Sequence, residues 1–278
     1  MTTPQRAACL IGWPAAHSRS PIIHKYWLTS FGIDGDYRIE AVQPEDFAGF
    51  ITNLGARGYT GANVTIPHKE QALALSDADA RARAVGAANT LWLDGGKLRA
   101  TNTDVEGFIN NLDAASPGWD VRTSEALVLG AGGSARAVLF GLIERGIKTI
   151  HLVNRTLPRA EELARQFGAG VKPATWDKVA GLLPRANLLV NTTSLGMKGQ
   201  PPLAIDVGLL PAGATVADLV YVPLDTDLLN AARKRGLVTA DGLGMLLHQA
   251  VRGFSLWFGR TPQVTDELRA LVVADLTK

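Results

Sequence analysis

Residues 125–146 read EALVLGAGGSARAVLFGLIERG. A short apolar run ends in Gly130, Gly132 and Ala135 at G-x-G-x-x-A spacing, and an amphipathic helical pattern follows. Glycines in this order allow a tight turn and close backbone approach to a pyrophosphate, which the N-terminus of the next helix then holds. The spacing alone is a common turn pattern. Between a strand and a helix it predicts a dinucleotide-binding α/β domain.

The next apolar run decides which dinucleotide binds. An NAD site usually carries Asp or Glu about 20 residues after the glycines, on the ribose hydroxyl. Residues 150–160, IHLVNRTLPRA, offer Asn154, Arg155 and Thr156 there instead, with Arg159 one turn on. A guanidinium suits a ribose phosphate and stacks on adenine, so the pair of features favours NADP.

Working outward, strand-like runs alternate with helical patterns on both sides. Downstream lie ANLLVN (186–191), ATVADLVY (214–221), a helix over 227–235, GLVTA (236–240), and helices over 245–258 and about 265–276. Upstream, AACLIGW (7–13) precedes a helix opening near Pro21, and YRIEAV (37–42) precedes a helix over 44–54. GYTGANVTI (58–66) precedes one over 67–75. This order predicts mostly parallel sheets. NTLWLD (89–94) and KLRATN (97–102), separated by Gly95-Gly96, predict a hairpin. A helix is expected over 104–115, ended by SPGWD (116–120).

The bulk numbers exclude several classes. At 278 residues the chain holds one large or two modest domains. Hydrophobic residues make up 46% and charged residues 19%, as in a soluble globular protein. A net charge of +2 is too balanced for a nucleic-acid or membrane-surface binder. The lone Cys9 leaves no internal disulfide and no CxxC motif. Histidines 17, 24, 68, 151 and 248 have no metal-ligand spacing, so no metal is assigned. No signal peptide or membrane span is visible, and a cytoplasmic protein acting as a monomer or homodimer is expected.

Several polar residues exceed what local structure requires. In GANVTIPHK (61–69), alternation puts Asn63 and Thr65 on one strand face. Pro67 suits the first position of a helix, which places Lys69 beside the positive end of its dipole, where a cation is disfavoured. In HSRSP (17–21), Ser20 reads as an N-cap, and Ser18 lacks that explanation. Two hydroxyls at a helix start suit a carboxylate. Thr103 and Glu106 form a capping-box pattern around Asp104. Asn89 fits a turn, Gln249 flanks the apolar stripe Leu246, Ala250, Phe254 and Trp257, and Tyr221 ends a nucleotide-sheet strand at its carboxyl side.

Taken together these stretches resemble the shikimate dehydrogenase family over nearly the whole chain. HSRSP, GANVTIPHK, GAANTL, NTDVEGF, VLGAGGSARA, NRT, VYVPLDTDLL and DGLGMLLHQA occur in the family's order. Ala88 stands where the family usually has valine, and Val105 where glycine is common; both concern only local packing near the substrate.

The resemblance implies two α/β domains: a substrate domain over 1–104 completed by the helices of 243–278, and a Rossmann-type NADP domain over 105–242. It implies NADP-dependent interconversion of shikimate and 3-dehydroshikimate, in aromatic amino-acid biosynthesis. Lys69 would be the acid/base, oriented by Asp104. Ser18 and Ser20 would bind the carboxylate, and Asn63, Thr65, Asn89, Asp104, Tyr221 and Gln249 the hydroxyls. Gly130, Ala131, Gly132, Gly133, Ser134, Asn154, Arg155, Thr156, Arg159 and Gly242 would contact NADP, with Leu219 near the nicotinamide. Two alternatives stand: an NAD-using quinate/shikimate dehydrogenase, and a non-catalytic NADP-binding regulatory relative. The latter is expected to lack Lys69 or Asp104, and this chain has both.

Overall fold

The computed structural model describes residues 6–16 and 18–277. Two compact units divide the chain, one ending at Thr103 and resuming at Gln249, the other running Asp104–His248.

The first unit opens with β1 (Arg6–Gly12), α1 (Ser20–Ser30), β2 (Gly35–Ala41), α2 (Phe47–Thr52) and β3 (Tyr59–Val64). It continues with α3 (Lys69–Ala74), β4 (Asp77–Ala78), α4 (Ala80–Val85), β5 (Thr90–Asp94) and β6 (Lys97–Thr101). The strands form one sheet in the order β2-β1-β3-β5-β6-β4. β1 runs parallel to β2 and β3, and the expected hairpin is present, β5 antiparallel to β6 with Asp94 opposite Lys97. Ile11, Phe47, Ile51, Leu54, Val64 and Leu91 pack its core.

The second unit begins with α5 (Asp104–Ala115) and α6 (Trp119–Arg122), followed by β7 (Glu125–Leu129), α7 (Gly133–Glu144), β8 (Thr149–Val153) and α8 (Leu157–Phe167). Then come β9 (Val171–Ala174), α9 (Val179–Leu182), β10 (Leu188–Asn191), β11 (Thr215–Asp218), α10 (Asp227–Lys234) and β12 (Val238–Ala240). The sheet order is β12-β11-β10-β7-β8-β9, every pairing parallel. Covered on both faces, its inner strands are predominantly apolar rather than alternating, with Asn191 and Asp218 at their carboxyl ends. Val128, Val138, Leu142 and Ile150 fill one side, and Leu127, Leu189, Val216 and Leu229 the other.

The last elements are α11 (Gly242–Phe258) and α12 (Asp266–Leu276). Residue 104 and residues 243–248 group with the second unit rather than with the first, as the sequence had suggested. The hydrogen bonds show why. Asn111 Nδ2 on α5 donates to Asp241 O at 2.8 Å, and Gly244 N to Asp241 Oδ1 at 3.0 Å, which ties the start of α11 to α5 of the second unit. Near its other end Trp257 Nε1 donates to Leu91 O at 2.8 Å, in the first unit's sheet.

Candidate active site

In the first unit Ser18 and Ser20 stand at the start of α1, Asn63 and Thr65 at the carboxyl end of β3, Asn89 directly before β5 and Gln249 on α11. Asn63, Asn89 and Gln249 are 3%, 3% and 8% exposed, so none is a surface amide. A buried amide is expensive unless its donors and acceptors are matched, and here they are. Asn63 Oδ1 accepts from the Tyr37 hydroxyl at 2.7 Å, and its Nδ2 donates to Thr90 Oγ1 at 3.2 Å. Asn89 Oδ1 accepts from Thr103 N at 2.7 Å and from the Thr103 and Thr90 hydroxyls, each at 3.2 Å. Thr103 Oγ1 reaches Gln249 Oε1 at 3.5 Å. Burial pushes the Tyr37 phenol well above its ordinary range and keeps it a donor. Asn89 therefore joins segments across the sheet end rather than forming a turn, and Gln249 is buried rather than flanking.

Three local expectations change. Pro67 does not open a helix: Thr65–His68 is a turn closed by His68 N donating to Thr65 O at 3.0 Å, and α3 begins at Lys69 with His68 as its N-cap. Lys69 is half-buried, and its carbonyl accepts from Ala88 N at 2.9 Å, which fixes its backbone one residue from Asn89. Ser20 is not the N-cap of α1 but its first residue, after Arg19. Ser18 Oγ is the local acceptor, taking Ser20 N at 3.2 Å and lying 3.2 Å from the Ser20 hydroxyl. β11 stops at Asp218, so Tyr221 stands three residues beyond the strand it was expected to end. Asp104 begins α5 and is half-buried.

In the second unit the glycine turn caps the carboxyl end of β7. Gly130 has φ +101°, and a Cβ there would lie 2.7 Å from Thr192 Oγ1, so only glycine fits. Gly132 is the N-cap of α7 and supplies no side-chain acceptor to the helix N–H groups. Gly132 and Gly133 are exposed, with open space where a Cβ would stand. Exposed amides with room above them suit a pyrophosphate. Ala131 N donates to Asn154 Oδ1 at 3.2 Å, and Asn154 Nδ2 to Thr156 O at 2.8 Å. The loop after β8 is thus joined to the glycine turn, with Arg155 and Arg159 exposed and no acid at the strand end. These residues fit NADP, and Ser134 follows in the first turn of α7. A Cβ on Gly242 would lie 2.2 Å from Leu219 O, so the start of α11 needs glycine to pass the Leu219 backbone.

Sequence reasoning passed over Tyr37, Thr90, Thr192, Thr193 and Asp218. The available signals were weak: a polar run NTTS directly after an apolar strand (191–194), and one acid inside ATVADLVY. Asp218 is 1% exposed; burial pushes its carboxyl pKa up, against hydrogen bonds from Thr226, Val220 and Asn191. Among the described residues no group of three or more His, Cys, Asp or Glu is placed to hold a metal; His17 lies outside them. No described helix is long and apolar enough to cross a membrane.

Known proteins match over nearly the whole chain. Residues 10–91 match the shikimate dehydrogenase substrate binding domain, 113–197 the shikimate / quinate 5-dehydrogenase family, and 242–271 the shikimate 5'-dehydrogenase C-terminal domain. A shikimate dehydrogenase (NADP(+)) of Rhodopseudomonas palustris strain BisB18 is 72% identical over 271 residues, 98% of each chain. Shikimate 5-dehydrogenase of Thermus thermophilus, solved with NADP(H) and shikimate, superposes with a TM-score of 0.85 at 36% identity, covering 97% of this chain and 99% of that one. Quinate dehydrogenase of Corynebacterium glutamicum, solved with NAD, gives 0.90 at 30% identity over 97% and 99%. The chain belongs to the shikimate dehydrogenase family.

Proposed function

We propose that the protein is an NADP-dependent shikimate dehydrogenase, interconverting 3-dehydroshikimate and shikimate. The observation that carries this reading is the buried set Asn63, Asn89, Thr103 and Gln249 beside the backbone-anchored Lys69. Such matched amides and hydroxyls suit a small polyhydroxylated ring, and a lysine whose backbone is anchored one residue from Asn89 suits a carbonyl oxygen that gains charge.

The glycine turn after β7 and the loop after β8 would hold NADPH, which would supply a hydride for the ketone carbon. Lys69 stabilises the developing alkoxide and gives it a proton; in the reverse direction the neutral amine accepts the proton from the alcohol. Asp104 orients the Lys69 ammonium. Ser18 and Ser20 hold the ring carboxylate, while Asn63, Thr65, Asn89, Tyr221 and Gln249 bind hydroxyls. Gly130 to Ser134 hold the pyrophosphate, Asn154 to Thr156 with Arg159 hold the adenosine phosphate, and Leu219 and Gly242 shape the nicotinamide end. The protein is cytoplasmic, a monomer or homodimer; the near-balanced +2 charge supports the lack of a nucleic-acid partner.

Nicotinamide absorbance tests this, with shikimate or quinate crossed against NADP or NAD. Turnover is expected to be greatest with shikimate and NADP. A preference for quinate and NAD would replace the substrate and cofactor assignment, and inactivity in all four combinations would overturn the enzymatic reading.

A further inference from the structure

Asp218 is a buried acid to which the proposed reaction assigns no role. It is the last residue of β11, at the carboxyl edge of the parallel sheet, one residue before Leu219. Among the described residues it meets no cation. Its carboxylate is matched by three donors from three segments. Asn191 Nδ2, at the end of β10, donates to Oδ1 at 2.9 Å. Val220 N, on the stretch leading to Tyr221, donates to Oδ1 at 3.0 Å. Thr226 Oγ1, the N-cap of α10, donates to Oδ2 at 2.8 Å.

The bonds extend beyond the acid. Asn191 Oδ1 accepts from Thr193 N at 3.0 Å and Thr193 Oγ1 at 2.7 Å, and Thr193 Oγ1 accepts from Leu195 N at 3.1 Å. Beside them Thr192 Oγ1 donates to Leu129 O at 2.8 Å, and it is the atom that denies Gly130 a side chain. An apolar residue at this depth would avoid the desolvation of a carboxylate, so fold stability alone does not favour Asp218. What the acid does uniquely is hold two loops and a helix start in register at the sheet edge where open α/β sheets bind their ligands.

We infer that Asp218 is a positioning residue. Through Asn191, Val220 and Thr226 it sets the loop at Thr192–Leu195 and the backbone at Leu219–Tyr221 in the arrangement that receives the nicotinamide half of the cofactor. The inference rests on the NADP-dependent reading above. It extends that reading to a residue that touches neither cofactor nor substrate.

Asp218→Ala leaves three donors without their acceptor. NADP binding, read by titration of protein fluorescence, is expected to weaken by about ten- to a hundredfold, with a parallel rise in KM for NADPH. Shikimate binding to the cofactor-free protein, read by calorimetry, is expected to weaken much less than NADP binding, because of its proposed ligands only Tyr221 lies on the stretch that Asp218 holds. Asp218→Asn keeps an acceptor for Val220 N and is expected to recover most of the loss. If Asp218→Ala does not fold, Thr226→Val removes one of the three donors, together with the cap acceptor of Leu229 N. It is expected to weaken NADP by about three- to tenfold, with Thr226→Ser restoring it.

Normal NADP affinity and kinetics well below the melting temperature, in whichever variant folds, would overturn the inference even if melting falls; so would equal weakening of NADP and shikimate. A wild-type protein inactive with NADP and shikimate would instead overturn the underlying reading.

Discussion

Replacing His24 with phenylalanine is expected to make the protein more resistant to acid. His24 is 0% exposed on α1, inside an aromatic group. Its ring stacks on Tyr37 at 4.1 Å with an 8° interplanar angle, and Trp27, Phe254 and Trp257 stand within 6.0 Å. Neither ring nitrogen makes a hydrogen bond of normal geometry among the described residues. Burial lowers its pKa from 6.5 to about 3, against a weaker opposite pull from Asn63, whose own amide is committed to Tyr37 and Thr90. The folded pKa lies below the unfolded one, so protons bind the unfolded chain more readily. Stability is fully present above pH 6.5 and is lost as the pH falls towards 3.

At pH 5 almost all unfolded chains carry the proton and almost no folded ones do, which costs the wild type about 2 kcal/mol relative to pH 8. Below pH 3 the loss levels off at about 5 kcal/mol. Phenylalanine keeps the ring stack and cannot titrate. Urea unfolding of both proteins at pH 8 and pH 5, followed by tryptophan fluorescence, measures the difference between the two pH losses. The expected gap is about 2 kcal/mol in favour of His24→Phe. Equal losses in the two proteins would refute the reasoning and show that His24 finds a partner when protonated.

The proposed chemistry gives three further expectations. Lys69→Ala is expected to lower kcat by about two to four powers of ten with little change in shikimate affinity, and near-normal turnover would remove Lys69 from catalysis. Ser18→Ala removes a hydroxyl from the proposed carboxylate site, and steady-state kinetics are expected to show KM for shikimate rising about five- to a hundredfold with kcat held. Arg155→Ala is expected to weaken NADP about ten- to a hundredfold and leave NAD unchanged, since only NADP carries the ribose phosphate. Parallel weakening of both cofactors would make Arg155 a support for the loop. Adding Arg159→Ala is expected to deepen the NADP loss.

What the sequence determined by itself was the alternation of elements, both sheets' predominantly parallel character, the hairpin at Gly95-Gly96 and the glycine turn after β7. These rest on periodicity and on backbone demands that operate within a few residues, so they are written locally. The missing acid and the arginine after β8 were legible for the same reason. Tertiary structure decided the rest. Ser20 loses its expected capping part because α1 begins one residue earlier than the capping pattern suggests, with Ser20 itself as the first helical residue after Arg19. Pro67 sits in a turn because Thr65 and His68 close it. Gln249 is buried and meets Thr103, far away in sequence, and Asp218 is satisfied by donors from β10 and α10 that no local pattern connects. A buried polar residue is affordable only when distant segments bring matching groups to it, and that match exists only once the chain has folded.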